Sequence, residues 1–109
     1  MFFDLNPAPT FQATVQITQP GGGHRPLPLV FNHKTRTQLS DAQKKWESSD
    51  SAMAADLAMA ADIVHAVPQL PDGTTQEKFF AQLFENFPAS ASDVYSTYIR
   101  ELHSSRIKN

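Results

Sequence analysis

The sequence predicts an α+β domain, an N-terminal two-stranded β-hairpin packed on a bundle of about four α-helices. Three observations predict it. Residues 11–18 alternate strictly, with Phe11, Ala13, Val15 and Ile17 on one side and Gln12, Thr14, Gln16 and Thr18 on the other. A period of two marks a strand with one buried face. Pro20 to Gly23 then break the chain, and a second apolar run can lay Leu27, Leu29 and Phe31 on the same face. Finally, four apolar stretches after Thr35 read as helices, set off by capping residues and by a proline-containing loop at 67–73.

Residues 1–10 hold Phe2, Phe3 and Leu5 ahead of Asn6-Pro7-Ala8-Pro9, which predicts an extended arm. Its phenylalanines either cover one end of the hairpin, the commoner behaviour, or dock on a neighbouring molecule. The hairpin occupies 11–34. Successive glycines at 21–23 take positive φ without steric cost, so the chain can reverse there. Pro26 and Pro28 donate no backbone hydrogen bond, which predicts a sheet edge at the start of the second strand.

The helical part covers 35–109. Thr35-x-x-Gln38 forms a capping box before a helix from Arg36 to about Glu47, whose stripe is Leu39, Ala42 and Trp46. Ser48 to Ser51 interrupt it and supply a cap. An alanine-rich second helix is expected from about Ser51 to Ala66, with Met53 and Met59 as core fillers and Asp56 and Asp62 as surface markers. Val67 to Gly73 form a loop. Thr74-x-x-Glu77 has the pattern of another capping box, opening a third helix from about Thr75 to Glu85. The last helix is expected from about Ala89 to Arg106, with cations near its negative dipole end.

The chain has 109 residues, enough for a single domain that buries about 60–70% of its unfolded surface. A net charge of −2 gives no field to concentrate on nucleic acid, and no basic helix supports a DNA-binding regulator. Without cysteine there is no disulfide and no thiol chemistry. The first residues lack the pattern of a signal peptide, and no apolar run is long enough to span a membrane.

No catalytic constellation emerges. His24, His33, His65 and His103 are scattered, with no pair at the i, i+4 spacing of a helical metal site. The serines fall at caps and loops, outside any nucleophile elbow. The glycine turn enters a strand and lacks the Lys-Ser/Thr end of a phosphate loop. His33, Lys34 and Arg36 form a small basic cluster at the strand-to-helix junction. No enzyme activity, cofactor or metal is therefore expected. Trp46, Phe79, Phe80, Phe84, Phe87, Tyr95 and Tyr98 are many large rings for so short a chain. They either fill the core or anchor an interface, and spacing alone does not separate the two.

Two separated segments carry a resemblance. The strand with Phe11, Ala13, Val15 and Ile17, the glycine turn, Leu29 and Phe31, and then His33-Lys34-Thr35-Arg36 before Leu39 are similar to the start of the tail assembly chaperones of long-tailed, siphovirus-type phages and prophages. Leu83-Phe84-Glu85-Asn86-Phe87-Pro88, Tyr98 to Leu102 and the closing Arg106-Ile107-Lys108-Asn109 resemble that family's last two helices. The middle of the chain, about 46–75, contributes little to the likeness. The resemblance implies a non-enzymatic protein of the host cytoplasm, absent from the mature virion. Such proteins bind the tape measure protein, keep it soluble and promote tail tube assembly. The major tail tube protein is an implied second partner, and a homo-oligomer is expected, through the open strand edges or equally through the helices, since Pro26 and Pro28 blunt one edge. A small structural tail or head–tail joining protein retained in the virion is the alternative. For a helical partner, the expected trough is lined by Phe80, Phe84, Tyr95, Tyr98 and Ile99.

Overall fold

The structure, a computed structural model, describes residues 3–104. The chain runs β1 (Thr10–Thr18), β2 (His24–Asn32), α1 (Arg36–Glu47), α2 (Ala52–Ile63), β3 (Val64–Ala66), α3 (Gln76–Asn86) and α4 (Ser90–Leu102). Phe2, the closing residues 106–109 and the expected extension of the last helix to Arg106 lie outside the described residues.

β1 and β2 form the expected antiparallel hairpin, with Phe11 opposite Phe31 and Val15 opposite Leu27. Val15, Ile17, Leu27, Leu29 and Phe31 are buried, while Gln12, Thr14 and Gln16 are exposed. Gly21, Gly22 and Gly23 all have positive φ. The turn closes with the Gly22 N–H donating to the Gln19 carbonyl at 3.0 Å.

The sheet has three strands in the order β1-β2-β3, so β2 is central. The third strand was not expected from the sequence. The alanine-rich helix stops at Ile63, and Val64 is already extended, with φ −99° and ψ 119°. Ile63 and Val64 are β-branched, which lowers helix propensity and suits a pleated surface. The side of β2 away from β1 is open beyond Pro28, and β3 pairs there with Val30 and Phe31 through an irregular register. Pro26 and Pro28 are two residues apart, so their nitrogens point to the same side of the strand. A ladder with β1 that runs unbroken through both requires that side to face away from β1. The edge character predicted from the prolines therefore holds for the first half of β2, and the second half is covered.

Helix α1 begins at the predicted capping box. The Gln38 N–H donates to Thr35 Oγ1 at 3.1 Å, and the Thr35 N–H donates to Gln38 Oε1 at 2.9 Å. Ser51 caps α2. The second predicted box is displaced by one residue. Thr75, not Thr74, caps α3, accepting from the Lys78 N–H at 3.2 Å. Glu77 consequently sits in the first turn without closing a box. Helix α4 has no side-chain cap. Instead the buried Ser90 hydroxyl donates to the Phe87 carbonyl at 2.6 Å, tying α4 back to the end of α3.

One core joins the sheet to the helices, with Trp46, Met59, Ile63, Phe80, Phe84, Val94 and Tyr98 among its buried members. Helix α4 lies against β1, and Asp93 fixes its start. The Asp93 carboxylate accepts from the Thr18 N–H at 2.8 Å and from the Thr18 hydroxyl at 3.2 Å. The arm does not cover the hairpin at Phe3, since Phe3 and Leu5 are 87% and 83% exposed.

Candidate functional site

The five aromatic and aliphatic residues expected to line a trough divide into two groups. Phe80, Phe84 and Tyr98 are only 2%, 6% and 0% exposed, so they belong to the core and no partner reaches them in this fold. Phe80 and Phe84 pack on each other with ring centroids 5.5 Å apart. The Tyr98 ring packs on Phe11 at 5.7 Å and on Phe31 at 5.3 Å, and those two rings meet each other at 5.6 Å. The Tyr98 hydroxyl donates to the Asn32 carbonyl at 2.8 Å. An i, i+4 run of aromatics looks the same in sequence whether it faces a core or a partner. Tyr95 and Ile99 are half-buried and remain accessible.

Tyr95 belongs to a groove of about 630 Å³ where three helices converge. Helix α1 contributes Gln43, Trp46 and Glu47, and α2 contributes Ala55, Asp56 and Met59. Pro88, Ala91, Ser92 and Tyr95 form the wall at α4. The members of each set are linked by the three- and four-residue spacings of a single helix face. Tyr95 meets Trp46 edge-on, with centroids 5.9 Å apart and planes at 89°.

Polar groups behind the wall fix these rings. Gln43 donates its side-chain N–H to the Tyr95 hydroxyl. Trp46 Nε1 donates to Asp62 Oδ2 at 2.7 Å. Lys45 pairs with the same carboxylate at 2.8 Å, and the Asp62 backbone carbonyl accepts from Asn32 Nδ2 at 3.2 Å. Burial alone would raise the Asp62 pKa, but the bonds from Lys45 and Trp46 and the charges of Lys45 and Lys34 hold it below the ordinary value. Asp62 is thus no mere surface marker. It orients the indole that lines the groove.

The rest of α2 is unusual for a surface helix. Its only charged residues are Asp56 and Asp62, and apolar side chains occur on every side. A helix apolar all round is ordinarily buried. Here Ala52, Ala54 and Ala61 are exposed, and Met53, Ala55, Leu57 and Ala58 are half-buried. A second hollow of about 460 Å³ runs along its other flank, between Leu57, Ala58 and Ala61 and the first turns of α3. A third, of about 330 Å³, separates the hairpin from α3, where Arg25 lies 5.9 Å from the centroid of the Phe87 ring. The basic cluster of His33, Lys34 and Arg36 borders a separate hollow near Leu39 and Leu102.

Among the described residues, no group of three or more histidines, aspartates or glutamates is placed to hold a metal ion. None of their helices is long and apolar enough to cross a membrane. Sequence reasoning missed Ala55, Met59, Pro88 and Ala91. For Ala55 and Met59 the signal was the all-round apolar character of α2.

A family model described as phage tail assembly chaperone matches residues 1–109. No curated protein and no solved structure matches the chain.

Proposed function

From the premise that the chain belongs to the phage tail assembly chaperone family, we propose that it binds the tape measure protein, keeps it soluble and promotes tail tube assembly. The observation that carries this reading is the groove between α1, α2 and α4, with the fixed Trp46–Tyr95 pair in its wall. A long helical protein exposes apolar stripes before the tube encloses it. A trough with aromatic walls takes such a stripe by helix-in-groove packing. Tyr95 supplies large contact area from a ring held at both edge and hydroxyl, so little freedom is lost on binding. The buried Met59 closes the floor of the groove from the core side. Ile99 lies one helical turn from Tyr95 and extends the same helix surface.

In this reading the protein acts by contact in the host cytoplasm, without catalysis, cofactor or metal, and leaves before the virion matures. The major tail tube protein is a second partner, and a homo-oligomer is the working form.

The test is co-purification with the tape measure protein. Tyr95→Ala should weaken capture by about 1–3 kcal/mol, the range of an interface anchor. Lys34→Ala should leave it unchanged. Each variant is first checked by a thermal melt. If a folded Tyr95→Ala retains full binding while Lys34→Ala loses it, the partner sits at the hairpin junction. Recovery of the chain from purified mature particles would mark a structural component instead of a chaperone.

A further inference from the structure

The same groove carries an unmatched charge. Asp56 is half-buried in its wall, and Glu47 stands at its rim. Among the described residues, neither carboxylate has a hydrogen bond or an ion pair. No lysine, arginine or histidine lines the groove. The contrast with Asp62 is direct, because that carboxylate, on the same helix, is satisfied by Lys45 and Trp46. A carboxylate partly withdrawn from water in apolar surroundings is costly unless a cation or donor meets it. Burial already pushes the Asp56 pKa upward.

We propose that the segment taken by this groove is a cationic amphipathic helix, with a lysine or arginine about one turn from its apolar anchor, placed against Asp56 and Glu47. The inference rests on the reading of the groove as the partner site and adds the chemistry of the partner. Apolar contact with Tyr95, Ala55, Ala91 and the groove-facing edge of Trp46 gives the affinity. The two carboxylates choose among apolar helices, admitting those with a basic flank and rejecting those with an acidic one. A lysine stem also lies well along apolar surface while its ammonium reaches the carboxylates.

Trp46 is the only tryptophan in the chain and lines the groove, so its fluorescence reports occupancy directly. Two synthetic amphipathic helices of about 20 residues would share one apolar face and differ only in lysine or glutamate at the flanking positions. The lysine peptide should bind about tenfold more tightly at low salt, with the margin shrinking as ionic strength rises. In the Asp56→Asn/Glu47→Gln double variant, which keeps shape and removes charge, the two peptides should bind alike. Equal affinities for the unaltered protein would overturn the charge inference. So would a lysine preference that survives in the double variant. If affinities are equal but Tyr95→Ala weakens both peptides, the groove reading stands and only the charge inference falls. If neither peptide changes Trp46 fluorescence, both fall together.

Discussion

Tyr98→Phe should destabilise the protein without touching its partner surface. The perturbation removes one hydroxyl and keeps the ring against Phe11 and Phe31. The hydroxyl is fully buried and donates to the Asn32 carbonyl at 2.8 Å, so the acceptor is left without that donor. Loss of one such bond costs about 1–2 kcal/mol. In a domain of this length that is about 5–10 °C in melting temperature. Tyr98→Ala would also empty the ring's volume, at about 3–5 kcal/mol, a large part of a marginal total stability. Alkaline pH supplies a second, independent readout. Burial first, and the neighbouring Tyr95 charge second, push the Tyr98 phenol from 10.0 up to about 12. The folded state thus prefers the protonated form. Its contribution is complete below pH 10 and is lost as pH rises toward about 12, at a slope of up to about 1.4 kcal/mol per pH unit. Urea titrations followed by Trp46 fluorescence at neutral pH and across this alkaline window measure both effects. If Tyr98→Phe matches the parent at neutral pH, or shows the same alkaline loss, the buried hydrogen bond does not carry the energy assigned to it.

Other expectations follow from single features. Thr35→Ala should cost about 1 kcal/mol by opening the box with Gln38, and an unchanged urea midpoint would exclude that contribution. Asp62 is held below its ordinary 3.8, so its stabilisation is present above that value and is lost as pH falls through the lower folded one. Asp62→Asn should therefore flatten the acid limb of the stability profile, and a limb identical to the parent's would refute the linkage. Thermal melts with and without a chelator should superimpose, whereas a drop of several degrees would reveal a metal site among the histidines. Light scattering should find species larger than the 12.1 kDa chain, and a lone monomer at high concentration would count against self-association.

By itself the sequence determined what depends on neighbours along the chain. The period of two in β1, the positive φ of Gly21 to Gly23 and the Thr35–Gln38 box are local matters, and all three stand as expected. Helix α1 has the predicted bounds for the same reason. Only the tertiary structure decided the rest. Val64 to Ala66 make too short a run to specify a strand alone. They become one because β2 is open past its prolines and accepts a partner there. The one-residue shift from Thr74 to Thr75 follows from how the loop delivers the chain into α3, since either threonine can cap. The aromatic stripes named the large rings but not their neighbours. Phe80, Phe84 and Tyr98 are enclosed because α2, α3, α4 and the sheet close over them, while Tyr95, three residues before Tyr98, faces the gap that α1 and α2 leave open. Periodicity assigns a residue to a face of its helix, and only the packing of the other helices decides whether that face is core or groove.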